Sequence, residues 1–277
     1  MNTLRRGGLS STALAIIPIA IAINIAVGQL VAVLKLPVYL DSIGTVLVGA
    51  LIGPWVALIT GALSNIIWTL LGINPPAIWF APVAAVIGLM AGFAGRAGVF
   101  QRPSPRWLSA LIVGVFFFGL ALFVTSFVNA TTDPDGNLLL PTAADLLAQQ
   151  PIVFILATLV GIALGYFVLQ NAGYAGLAGL LTGIVAAIIS APIAAYVFGG
   201  LTGGGTDVLV AAFRNSGAGI LASALAQGTV SDPFDKMTSY MLVYLIVQAL
   251  PRRLLQRFPN ARAAEERMSM GGPVTSH

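Results

Sequence analysis

The chain has 277 residues, of which 58% are hydrophobic and 8% charged, against roughly a quarter charged in an ordinary soluble domain, so a soluble globular fold is excluded. It contains no Cys, and its single His is the final residue, which removes the raw material for disulfide scaffolds, Cys/His metal sites and His-dependent triads. A net charge of +4 would suggest nucleic acid in a soluble chain, but in one this apolar the placement of the charges matters more than their sum.

Uncharged runs cover 11–34, 42–95, 107–132, 146–206 and 237–251. A crossing helix needs roughly 20 apolar residues at 1.5 Å each, so the first and third runs hold one helix apiece and the second and fourth hold more. Gly53-Pro54 and Asn74-Pro75-Pro76 divide the second run into 39–52, which is short for a crossing, 55–71 and 77–95. Gln170-Asn171-Ala172-Gly173 separates 152–169 from 174–198, and a last helix is expected over 234–250. The expected fold is an all-α, polytopic membrane helical bundle of about six to eight apolar segments, a single domain over 11–250. Arg5 and Arg6 before an apolar run also suit a signal peptide, but the first run exceeds the usual h-region, so it reads as retained.

Basic residues set the orientation. Residues 1–10 with Arg5 and Arg6, the loop 96–106 with Arg96, Arg102 and Arg106, and the tail 251–277 with Arg252, Arg253, Arg257, Arg262 and Arg267 hold 10 of the 13 basic residues. Placing all three in the cytoplasm gives an N-in, C-in protein of the cell (inner or plasma) membrane, with external loops at 131–150 and 199–233. All seven Asp then lie on the outer side.

Candidate site residues gather at that side. Tyr39, Asp41, Asn65, Trp68, Asn74 and Trp79 supply aromatic walls and a few fixed donors and acceptors, as an outward-facing ligand pocket requires. The aromatics read equally as an interfacial belt, whereas Asn65, about two turns inside a span, needs a partner. Gly199, Gly200, Gly203, Gly204 and Gly205 fall within seven residues, a loop able to approach a ligand or to serve as plain connection. No GxxxxGK[ST] motif is present, so no P-loop is expected. The polar stretch 206–230, which includes Asp207, reads as a re-entrant or surface-lying helix over the mouth. Asp232 before Pro233 has the form of a helix N-cap, and Lys236 at a span edge needs Asp235 or a ligand. Asp133, Asp135 and Asp145 read as solvated. Ala22 and Ala26 form a small-xxx-small pair on the first helix, for internal packing or for a partner helix.

The stretch Leu40-Asp41-Ser42-Ile43-Gly44-Thr45 through Gly53-Pro54-Trp55 to Ser64-Asn65, with Phe198-Gly199-Gly200 and Asp232-Pro233-Phe234-Asp235-Lys236, resembles the substrate-binding S components of energy-coupling factor (ECF) vitamin transporters. The resemblance implies a helical membrane protein, typically of six helices, that is not an enzyme. Such a protein takes a water-soluble vitamin or related heterocycle from outside and docks on a transmembrane T component driven by two ABC ATPases. It maps the docking face onto Ala22 and Ala26. The expectation is solute binding by Tyr39, Asp41, Asn65, Trp68, Asn74, Trp79, Asp207, Asp235 and Lys236, gated by the glycine loop, with no metal, cofactor or nucleic acid. The outer Asp excess favours a cationic or zwitterionic ligand such as a thiamin-like molecule; a neutral vitamin stays open. The competing readings are a ligand-sensing membrane module and a stand-alone secondary transporter. The latter is disfavoured because no ionisable residue is expected mid-span.

Overall fold

The computed structural model describes residues 11–134 and 138–270. Arg5, Arg6, Asp135 and Gly271-Gly272-Pro273 lie outside the described residues. Apart from a small antiparallel ribbon, Thr131–Thr132 with Leu138–Leu139, the regular structure among the described residues is helical. Four helices are long and apolar enough to cross a membrane: Ala15–Val33, Pro75–Arg96, Arg106–Val128 and Gly173–Phe198. A pair bent by 94°, Ala143–Gln149 and Pro151–Phe167, would make a fifth.

The chain begins with α1 (Ser11–Val33), which ends in a left-handed turn at Lys35, φ 52, where the Leu36 amide donates to Val31 O. That is the bond pattern of a Schellman stop, with Lys where Gly is usual. Next comes α2 (Ile43–Leu51), nine residues and about 14 Å long, every one of them buried. Its shortness agrees with the sequence expectation, and the surrounding chain completes both its ends. At its start, Asn24 of α1 accepts from the Gly44 and Thr45 amides through Oδ1, and its Nδ2 donates to Thr45 Oγ1 and Ser64 Oγ. One buried amide thereby caps α2 and fastens it to α3 (Pro54–Leu70). Gly53, at φ 137, makes the break before Pro54.

A 3-10 turn at Pro75–Phe80 leads into α4 (Ala81–Arg96), followed by α5 (Arg106–Val128). In the loop beyond α5, Thr142 caps α6 (Ala143–Gln149): its hydroxyl oxygen accepts from the Asp145 amide and its O–H donates to the Asp145 carboxylate. Then come α7 (Pro151–Phe167) and α8 (Gly173–Phe198). Helices pair closely where glycine removes the side chain. Gly61 and Gly88 seat α3 on α4, Gly161 and Gly165 seat α7 on α5, and Gly179 and Gly183 bring α8 against the backbone of Lys236, Asp232 and Pro233.

The last third departs from the sequence reading. The segment expected as one re-entrant or surface-lying helix divides into α9 (Asp207–Asn215) and the first turns of α10 (Ile220–Ala249), a 30-residue helix rather than one starting near residue 234. Asp232-Pro233 is therefore no N-cap. The turn is made earlier, by Gly217 at φ 92 and extended Gly219, and α10 continues through Pro233, whose missing N–H leaves the Thr229 carbonyl without its usual helical donor. Of the polar stretch, Ser223 and Gln227 lie on the buried face of α10, as do Ser231 and Asp232, whereas Thr229 is exposed.

The described part of the basic tail docks on the bundle. After α11 (Arg252–Leu255), the helix α12 (Pro259–Met270) buries Asn260, Ala261 and Ala264, and Asn260 Nδ2 donates to the carbonyls of Gly49 and Gly92. Gln248 Nε2 reaches Phe100 O. Arg96, Arg102, Arg106, Arg252, Arg253, Arg257 and Arg262 thus share one end of the bundle.

Candidate functional site: a roofed cavity

At the opposite end lies a cavity of about 590 Å³, bounded by α1, the 35–42 turn, α3, the 3-10 turn, α4, α8, the glycine loop and α10. Phe80, Val83 and Ile87 line its apolar side. Trp68, 4% exposed, folds over Gly28: a Cβ built there would stand 2.6 Å from the ring's Cη2. Its indole N–H is buried without an acceptor. Asn65, 5% exposed, also faces the cavity and makes no hydrogen bond to another described residue.

The charged side belongs to α10. Lys236 Nζ donates to Asp235 Oδ2 at 2.6 Å, to Ser42 Oγ at 3.0 Å and to Asp41 Oδ1 at 3.4 Å. The second Asp235 oxygen accepts from the Leu40 amide at 2.9 Å. This ion cluster clamps the turn after α1, where Leu40 is held at φ 50, onto the middle of α10. Asp235 and Lys236, expected at the outer end of a last helix beginning near residue 234, therefore lie in mid-helix. Proline at 233 drew the helix boundary to the wrong place and put them at an edge.

The glycine loop is fastened as a roof. Asp207 accepts from the Thr202 and Gly203 amides and the Thr202 hydroxyl, Lys35 Nζ donates to Gly203 O, and the hydroxyls of Tyr39 and Thr206 share a bond of 2.8 Å. Gly205 lies directly on the carbonyls of Lys35 and Leu36, where a side chain would collide with backbone. Desolvation, then the negative charge of Asp232, pushes the Tyr39 hydroxyl up from its ordinary pKa, so it remains protonated and able to donate.

Comparison with protein-family models, curated proteins and solved structures returns no match.

Of the residues singled out from sequence, Tyr39, Asp41, Asn65, Trp68, Asn74, Lys236, Gly203, Gly204 and Gly205 line the cavity. Asp235 stands behind Lys236, and Asp207 is occupied within the loop. Gly199 and Gly200 end α8 at φ 63 and 89, and Trp79 is 54% exposed; none of the three lines the cavity. Ala22 and Ala26 are exposed on α1. Sequence reasoning passed over Asn24 and Ser190, and read Asp232 as a helix cap only. Asn24 carried a usable signal, an amide in the middle of an uncharged run, the same argument that marked Asn65. Among the described residues no group of three His, Cys, Asp or Glu is arranged to hold a metal ion.

Proposed function

We propose that the protein is a membrane-embedded solute-binding subunit, similar in role to the S components of ECF transporters, and that the cavity is its binding site. The observation that carries this reading is the cavity itself: about 590 Å³, mostly apolar, with a few polar groups converging on it and a glycine-rich roof, the general make-up of a small-molecule site. In this reading the bundle lies N-in and C-in across the cell membrane, with the arginine-rich end in the cytoplasm and the cavity open to the outside. The exposed stripe of α1, with Ala22 and Ala26 between Ile19 and Leu30, meets a transmembrane partner driven by two ABC ATPases. The solute is a vitamin-sized heterocycle, released inward when the partner moves the bundle.

Mass spectrometry of small molecules released from protein purified out of its native membrane tests the reading. A stoichiometric heterocycle is the expected result, and an empty protein that also ignores an added vitamin panel would refute it. Leu at Ala22 and Ala26 should spare binding and abolish uptake. One observation favours a second reading: the ionisable cluster in mid-α10 is what a stand-alone, ion-coupled transporter would use. Gradient-driven uptake by the chain alone in proteoliposomes would select it.

A further inference from the structure

The charges around the cavity do not balance. Three carboxylates, Asp41, Asp232 and Asp235, meet a single buried ammonium, that of Lys236. All three Lys236 donors are taken, by Asp235, Ser42 and Asp41. Lys35 is exposed at the mouth and donates to Gly203 O. Asp232, 5% exposed and on the cavity wall, is left with two long hydroxyl bonds, from Ser231 at 3.3 Å and Ser190 at 3.5 Å. No salt bridge to it forms among the described residues. Lys236, one turn along α10, is the neighbouring cation, but its three donors are spent on other groups; a carboxylate held out of water without an ion pair of its own is unfavourable, and that is relieved by a proton or by a cation arriving from outside.

We infer that Asp232 is the recognition point for a protonated amine, and that the cavity's ligand is an organic cation; this rests on reading the cavity as a solute site. The rest of the wall describes the rest of the ligand. Phe80, Val83 and Ile87 fit an apolar or flat body. Asn65 and the unaccepted indole N–H of Trp68 ask for a hydrogen-bond acceptor away from the amine. A bare metal ion would find two hydroxyls and one carboxylate, a poor donor set, and no use for the apolar wall.

Matched probes that differ only in charge test this on the full chain in lipid nanodiscs by isothermal titration calorimetry: tryptamine against tryptophol, and pyridoxamine against pyridoxine. A hydrogen bond to a charged group is worth about tenfold to a hundredfold in affinity, so the amine of at least one pair should bind about tenfold tighter than its alcohol. Asp232→Asn should erase that preference by weakening the amine selectively, and retained binding of the alcohol reports an intact fold. Equal binding within both pairs, a preference for the alcohols, or an amine preference that survives Asp232→Asn would overturn the inference and leave the solute-binding reading standing. If none of the four probes binds, the inference fails, and the released-molecule experiment then decides whether the site reading fails with it.

Discussion

On the α1–α3 side of the bundle, Asn24 is 1% exposed, and both ends of its amide are engaged, by two backbone N–H groups and by the hydroxyls of Thr45 and Ser64. On α10 the buried polar groups include three charged ones, Asp232, Asp235 and Lys236, and partners run short at Asp232. Both regions place polar atoms inside an apolar bundle, but the network around Asn24 closes its hydrogen bonds internally, whereas the wall around Asp232 leaves capacity over. Closed networks hold a fold together; open ones are where a ligand has something to supply.

The largest effect should come from Lys236→Met, which strands the fully buried Asp235 and costs about 3–5 kcal/mol, read by thermal unfolding in detergent. Adding Asp235→Leu should restore much of the loss; if Lys236→Met is silent, the contrast between the two walls disappears. Asn24→Leu should cost about 2–3 kcal/mol by orphaning the first amides of α2, and, unlike the Lys236 change, its effect should not respond to salt. Gly28→Ala, pressing on Trp68, should cost about 1–2 kcal/mol and shift the tryptophan emission, with a loss of ligand affinity that Asn24→Leu lacks at matched temperature below unfolding. The smallest change, Tyr39→Phe, should cost about 1 kcal/mol and appear as faster hydrogen exchange at Gly203, Gly204 and Gly205, loosening the roof without touching either wall.

Much of the helical plan was legible because hydropathy and Gly-Pro breaks are local signals. Gly53-Pro54 and Asn74-Pro75-Pro76 mark real boundaries, and the run 39–52 was visibly too short for a crossing. Asp232-Pro233 misled because its local pattern, an acceptor before proline, is that of a helix start, whereas its fate was decided by Gly183 on α8, far away in sequence. Six of the nine side chains singled out for solute contact line the cavity, since polar and aromatic residues at segment ends are conspicuous. What a linear reading could not supply was the pairing: that Asp235 and Lys236 satisfy each other and Asp41, and that Asp232 is the one left over, is a fact about distances between the 35–42 turn, α8 and α10.

Asn260 binds the carbonyls of Gly49 and Gly92, the latter 168 residues earlier in the chain. During synthesis the Gly49 carbonyl at the base of α2 therefore waits for this donor until α12 has left the ribosome. The half-length helix at the heart of the protein can enter the bilayer early but is finished only late, so C-terminal tags or truncations that disturb α12 should produce chains that insert yet fail quality control.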